Sequence, residues 1–388
     1  MNKMHQIEDQ YGLNLFNKRG ISLNKGENCK VWDENGKEYI DCTSGHGVAI
    51  IGHSNPDIIT ALTLQASQLI TCTGSFYNHK RAELMEKLIS LSPPSLTRVF
   101  FCNSGTESIE AAIKFARFSS GKKEFITAMR GFHGRTMGSL SATYNPKYRQ
   151  DFEPLVPGFN YVPFNNFEKL REAANEHTAG ILLELVQGEG GVYIGDQKYF
   201  EQVKKLCQQC DILLIIDEVQ TGFGRTGRLF ACEHYEIEPD ILCLSKGIAG
   251  GFPMGAVLCS DKIDIPSGKH GTTFGGNPLA CAVALACIEY IIKHNLVHQA
   301  KEKGAYFFEA FNKHKLPVVR EVRQIGLMIG IELKDKSQSY ITKLQDEGVL
   351  VLPAGQTVIR LLPPLTIDKA DIDRVVEKLV TILSTKSN

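Results

Sequence analysis

Two short apolar runs in this chain each end in a residue able to do chemistry. Ile241-Leu-Cys-Leu-Ser-Lys-Gly-Ile-Ala-Gly-Gly251 delivers Lys246 and then breaks into glycines. An amine at the mouth of a strand is partly shielded from water. Desolvation disfavours its ammonium form, so it can be a nucleophile near neutral pH. Upstream, Ile212-Leu-Leu-Ile-Ile216 ends in Asp217. A buried carboxylate is costly unless a cation pairs with it. A protonated ring nitrogen would serve, and so would a structural arginine such as Arg225. Alone, Lys246 fits an aldolase-type Schiff base or a structural amine as well. Together, a strand-end lysine and a strand-end aspartate match pyridoxal phosphate chemistry, which uses a lysine Schiff base and an acidic partner for the pyridinium.

Further segments supply groups for such a site. Cys102-Asn-Ser-Gly-Thr-Glu-Ser108 lies between a strand and a helix. Free N–H groups and the positive end of the helix dipole would let Ser104, Gly105 and Thr106 cradle a phosphate. An ordinary helix cap uses the same residue types. Met129-Arg-Gly-Phe-His-Gly-Arg135 offers an aromatic ring that can stack on a flat cofactor and an arginine fork that can grip a carboxylate. His270-Gly-Thr-Thr-Phe-Gly-Gly-Asn-Pro278 adds two hydroxyls that suit either a phosphate contact or a turn.

Other signals point elsewhere and fail on context. Thr221-Gly-Phe-Gly-Arg-Thr-Gly227 contains Gly-x-Gly-x-x-Gly, the letter pattern of a nicotinamide-dependent dehydrogenase. Its first glycine should follow the strand directly and its third should open a helix, and neither holds. A flexible active-site loop is the expectation. Cys207-Gln-Gln-Cys210 looks like half a zinc or redox site, but no second pair completes it, and no metal site is expected.

The elements that must position these groups alternate. From about residue 60, helical stretches such as 106–118 alternate with apolar strands at 98–102, 181–186, 212–216, 241–244 and 255–259. Buried runs in that order predict a mostly parallel sheet covered by helices on both faces. Before it, residues 31–52 alternate as strands around Asn35-Gly36, a turn whose two central residues are expected at positive φ. The long apolar helix from Leu279 contains Glu289 and falls short of the ~20 residues a membrane span needs. After it, strands at 319–333 and 348–352 with intervening helices suggest a smaller α+β domain.

Composition sets the outer bounds. The 388 residues hold 43 Lys plus Arg against 43 Asp plus Glu, so no net charge draws the chain to nucleic acid or membrane. Eleven scattered cysteines suit a reducing compartment, and the polar N-terminus lacks a signal-peptide layout. A cytoplasmic enzyme is expected.

Taken in order, Asn103-Ser-Gly-Thr-Glu107, Gly131-Phe-His-Gly-Arg-Thr136, Val186-Gln-Gly-Glu-Gly-Gly191, Asp217-Glu-Val-Gln-Thr-Gly222, Ser245-Lys246 and Thr272-Thr-Phe-Gly-Gly-Asn-Pro278 resemble the class III (acetylornithine/ornithine-type) aminotransferases over essentially the whole chain. The resemblance implies the fold-type-I architecture: an N-terminal segment 1–50, a large α/β domain 51–276 with a mostly parallel seven-stranded sheet, and a small α+β domain 277–388. It implies pyridoxal 5'-phosphate on Lys246, with Asp217 on the ring nitrogen, Gln220 on the ring hydroxyl and Phe132 stacked on the ring. Gly105 and Thr106 would hold the phosphate with Thr273 from the other subunit of a homodimer. Arg135, with Thr272 nearby, would clamp the carboxylate of an N-acylated substrate. Arg360 would take the α-carboxylate of glutamate or 2-oxoglutarate, and Glu189 would neutralise Arg360 otherwise. Met137, Ser139 and residues 321–330 look more like the branch whose lysine or ornithine rides on an acidic amino-group carrier protein. The expected reaction moves the terminal amine of an acylated lysine or ornithine to 2-oxoglutarate, in lysine or arginine biosynthesis. A free ornithine or 4-aminobutyrate aminotransferase is the alternative within the family. Leu185 departs from the family, which usually has proline after Glu184.

Overall fold

The computed structural model describes residues 3–384, so the extreme ends of the N-terminal and C-terminal segments lie outside the described residues. Seven strands build the central sheet: β1 Leu96–Cys102, β2 Glu124–Ala128, β3 Phe159–Val162, β4 Thr178–Glu184, β5 Leu213–Asp217, β6 Ile241–Leu244 and β7 Gly255–Ser260. Their spatial order is β1-β7-β6-β5-β4-β2-β3. Only β7 runs antiparallel to its neighbours. Strands β4 to β7 are buried along their whole length, which explains their unbroken apolar runs. The sequence reading had no strand at β2 or β3.

Side chains alternate between the two faces of the sheet. Leu182, Ile215, Cys243 and Val257 pack with Ile109, Ala112 and Phe115 of helix α1 (Gly105–Ser120). Leu183, Ile216, Leu242 and Leu244 join the other core with Phe200 and Val203 of helix α2 (Gln197–Cys210). Cys207 and Cys210 lie on this helix. Helix α3 (Pro278–Lys293) is buried along much of its length and packs on helices Pro56–Ala66 and His79–Leu91.

The two ends of the chain share a sheet. Leu23–Glu27, Lys30–Asp33 and Glu38–Asp41 pair in series, and Val349–Leu350 joins parallel to the last, with Ile40 opposite Val349. The turn at Asn35-Gly36 differs from expectation. Gly36 has φ 79°, but Asn35 does not enter the left-handed region. Asp33 accepts hydrogen bonds from the Asn35 and Lys37 N–H groups instead, at 2.9 Å each. A carboxylate thus closes the turn that backbone geometry alone was expected to close. A second, antiparallel sheet holds Val319–Ile325, Met328–Leu333, Val358–Leu361 and Leu352–Ala354. The single stretch 319–333 is therefore a hairpin turning at Gly326. Among the described residues, no single helix is long and apolar enough to cross a membrane.

Candidate active site

Parallel strands bring their C-terminal ends to one edge, and functional groups collect there. Asp217 ends β5, Glu184 ends β4, Lys246 follows β6, and Ser104 to Thr106 follow β1. With Phe132, Arg135, Glu189, Val219 and Gln220 they line a cavity of about 360 Å³. Arg360 reaches this wall from the strand Val358–Leu361.

Lys246 opens a short 3₁₀ turn at φ 39°, a left-handed conformation that is uncommon for a residue with a side chain. Burial pushes its amine down to about 8, Arg360 adds to the effect, and Glu189 opposes it. A substantial neutral fraction therefore exists near neutral pH.

Asp217 is held at both oxygens. Its Oδ1 accepts from the Val219 N–H at 3.0 Å, and its Oδ2 lies 2.8 Å from His133 Nδ1. Burial alone would lower the His133 pKa, but contact with Asp217 outweighs it and raises the value. Glu184 stands close by, accepting from the N–H groups of Phe132 (3.0 Å) and Gly188 (3.3 Å). Burial lifts its carboxyl to about 7. Arg225, the alternative partner of Asp217, is elsewhere: it is fully buried and donates to the carbonyls of Leu327 and Pro363.

At the α1 terminus, the Ser104 hydroxyl accepts from the Glu107 N–H at 3.3 Å, and Glu107 accepts from the Asn103 N–H at 2.6 Å. Gly105 and Thr106 remain at the cavity wall. The Thr106 hydroxyl is engaged with Thr136 and Ser139, so its N–H is the group left for an anion. A Cβ on Gly105 would stand 2.6 Å from Val219 Cγ1, so only glycine leaves this cradle open.

The two arginines differ. Arg360 is buried, donates to Glu189 at 2.6 Å and to Gln220 Oε1 at 3.1 Å, and has no partner for its Nε among the described residues. Arg135 is exposed, lies over the Phe132 ring at 5.7 Å and has no acidic partner among the described residues. It is a free fork at the mouth.

Thr272 and Thr273 do not join this cavity within one protomer. Thr272 accepts from Asn103 Nδ2 at 3.3 Å, and Thr273 is exposed in a neighbouring groove with Phe76 and Tyr77. Sequence reasoning also missed several groups. His133 and Glu184 were read only as letters within motifs. Val219 gave no signal because an isolated valine rarely does. His46 and Tyr148, whose ionisation the charges of Arg360 and Glu189 both influence, belong to none of the motifs. The Gly222–Gly227 loop is packed rather than flexible. A Cβ on Gly227 would meet Lys301 Cβ at 2.9 Å, and one on Gly224 would meet Leu365 Cδ1 at 3.1 Å. These glycines permit close packing and open no helix.

This fold and this site define a fold-type-I pyridoxal phosphate enzyme. The chain belongs to the class III aminotransferases, whose family model matches residues 16–383. It is 45% identical to the LysW-aminoadipate semialdehyde transaminase of Deinococcus radiodurans, covering 97% of this chain and 89% of the relative. It is 44% identical to the acetylornithine aminotransferase of Methanosarcina acetivorans, over 96% of this chain and 94% of the relative. In structure it matches the ornithine aminotransferase of Toxoplasma gondii with a TM-score of 0.94 at 30% identity, over 98% and 94% of the two chains. The acetylornithine aminotransferase of Elizabethkingia anophelis matches with a TM-score of 0.87 at 33% identity, over 98% of each chain. Membership of this family overturns the dehydrogenase alternative. The cofactor is pyridoxal phosphate. The residues fit it: a buried acid for the ring, a glycine cradle at a helix N-terminus for the phosphate, and a depressed lysine for the aldehyde carbon.

Proposed function

We propose that the chain transfers the terminal amine of an Nα-acylated lysine or ornithine to 2-oxoglutarate, yielding a semialdehyde and glutamate. The observation that carries this reading is the pair of unlike arginines. One is capped by its own carboxylate, and the other is free at the mouth. A dual-substrate enzyme needs a site for two carboxylates in one half-reaction and for one in the other.

When bound, pyridoxal phosphate supplies the electron sink that makes the carbon beside the reacting nitrogen acidic. Lys246 is the residue that would hold the cofactor's aldehyde carbon, and its Nζ, buried at the cavity wall with its pKa lowered to about 8, would be positioned to take up and return a proton there. Asp217, fixed by His133 and the Val219 N–H, is the carboxylate that would pair with the ring nitrogen and favour its protonated form. The Gly105 and Thr106 N–H groups would take the cofactor's phosphate, Gln220 would offer its Nε2 to the ring hydroxyl, and Phe132 and Val219 would give the ring apolar walls that exclude water. Arg135 takes the α-carboxylate of the acylated substrate while the Glu189 carboxylate offsets the charge of Arg360. When glutamate binds, Glu189 yields Arg360 to its α-carboxylate.

The chain is proposed to act as a homodimer in the cytoplasm. Phe76, Tyr77 and Phe274 are exposed, large and apolar; Phe76 and Tyr77 line the groove that holds Thr272 and Thr273, and Phe274 follows Thr273 in the chain. A second copy covering them would carry Thr273 toward the partner's phosphate. An acidic amino-group carrier protein is the proposed bearer of the acyl group, since Arg130, Arg135 and Lys147 are all exposed on the segments around the mouth. The deciding experiment compares kcat/KM for Nα-acetyllysine, Nα-acetylornithine, free lysine and free ornithine over a range of salt. Acylated substrates should win. Free diamines used at least as well would sink the proposal.

A further inference from the structure

One aromatic residue at the mouth has no part in the chemistry above. Tyr148 sits on the short helix Pro146–Arg149, which Asn145 caps by accepting from the Lys147 N–H at 3.1 Å. Its neighbour Arg149 donates to the Tyr161 hydroxyl, which donates in turn to the Ser141 carbonyl at 2.5 Å. The helix is thereby tied to the body of the large sheet, and Tyr148 is held in place before any ligand arrives. Its ring stands edge-on to Phe132, with centroids 5.6 Å apart and planes at 76°. Phe132 also carries the Arg135 guanidinium. Arg135, Phe132 and Tyr148 therefore form one stack along the mouth.

The hydroxyl of Tyr148 has no hydrogen-bond partner among the described residues. Its ring packs against Phe132, which lines the cavity. Burial and the Glu189 carboxylate raise its pKa, while Arg135 and Arg360 pull the other way. We infer that the Tyr148 hydroxyl donates a hydrogen bond to the acyl carbonyl of the substrate, which makes Tyr148 a specificity-determining residue for the acylated amine.

The chemistry follows from what Arg135 leaves over. With the α-carboxylate on Arg135, the amide on the same α-carbon would extend along the Phe132 ring toward Tyr148, the residue on its far edge. An amide is neutral and has a carbonyl lone pair, so a neutral O–H donor matches it without burying another charge. A free α-ammonium has no lone pair to accept that bond. Glutamate bound through its α-carboxylate on Arg360 places no amide there.

The inference rests on the acylated-substrate reading, and the test separates the two. Tyr148→Phe keeps the ring against Phe132 and removes only the hydroxyl. Steady-state constants are measured for the holoenzyme with Nα-acetylornithine, Nα-acetyllysine and the two free diamines, together with the single-turnover glutamate half-reaction. KM for the acetylated amines should rise roughly three- to tenfold at unchanged kcat, the range expected for one neutral hydrogen bond. The glutamate half-reaction and the free diamines should not change. If the wild type favours acetylated amines and the variant keeps the same preference, the assignment to Tyr148 is wrong and the substrate reading stands. A uniform loss on all substrates also overturns it, because that marks a structural role. A wild type that uses free diamines at least as well removes the substrate reading itself.

Discussion

Glu189→Gln isolates the charge that alternates between the two half-reactions. The side chain of Arg360 is 1% exposed and that of Glu189 27%, and they meet at 2.6 Å. Glutamine keeps the size and one acceptor oxygen but removes the charge. Two unit charges 4 Å apart attract by about 4 kcal/mol at an effective dielectric near 20. The bare Coulomb value overstates the net effect, because both groups lose water in forming the pair. Hydrogen bonds to charged groups contribute about 1.5–3 kcal/mol net, and that range is the better guide here. In the variant, glutamate no longer has to displace a carboxylate from Arg360. The acylated amine, which brings no carboxylate to Arg360, leaves it uncompensated. Both effects move the ratio of kcat/KM for glutamate over acylated amine upward, by roughly 10- to 150-fold at 1.4 kcal/mol per decade. Single-turnover absorbance changes of the bound cofactor, with each amine alone, measure the two half-reactions separately. Glu189 also supports the ammonium form of Lys246, so its loss lowers that amine further below about 8. Working above pH 8.5 removes this contribution. An unchanged ratio, or one that moves toward the acylated amine, would refute the exchange of partners on Arg360.

Capture of pyridoxal phosphate by the cofactor-free protein should accelerate with pH up to about 8 and then level, since the neutral Lys246 amine is the nucleophile and burial depresses its pKa. A rate still climbing at pH 10 would mean an unperturbed lysine. Gly105→Ala should weaken cofactor retention by tenfold or more, because its Cβ meets Val219 Cγ1 at 2.6 Å; Gly105→Ala with Val219→Ala should restore part of it in equilibrium titrations. Failure of the second change to help would show that the clash is not what closes the cradle. Gly304→Ala places a Cβ 1.9 Å from the Gly326 carbonyl and should cost about 1–3 kcal/mol. An unshifted denaturant midpoint would contradict that packing.

Much of this site was legible because strand-end residues declare themselves. A run of buried apolar residues that stops at an acid or an amine marks the carboxyl edge of a parallel sheet, and Asp217 and Lys246 both follow that pattern. Strands β2 and β3 carry weak signals because Glu124-Phe-Ile-Thr-Ala128 is short and follows two lysines, and Phe159-Asn-Tyr-Val162 mixes polar with apolar. Sheet edges and near-edges tolerate such mixtures, so their period is weak. His133 was visible as a residue but not as the partner of Asp217, because that contact joins positions 84 apart in sequence. No local spacing encodes it. Tyr148 belongs to the same class, since only its edge-on contact with Phe132 places it beside the cavity. The Gly222–Gly227 loop misled in the opposite sense. Its glycines looked like freedom, and the structure uses them for contact.

The small sheet that joins residues 23–41 to Val349–Leu350 has a consequence for how the enzyme is made. Lys37 and Asp346, which hydrogen-bond across it, are separated by 309 residues. During synthesis the N-terminal strands must wait for almost the whole chain before their last partner exists. The seven strands between residues 96 and 260 can assemble in the meantime. The segment that follows Asp41, with Ser44, Gly45, His46 and Gly47 all at positive φ, leads from that late-closing sheet toward the Lys246 pocket. Arg360, too, is made only after the whole large sheet, so the pocket around Lys246 cannot be complete until the chain has run far past Ser260.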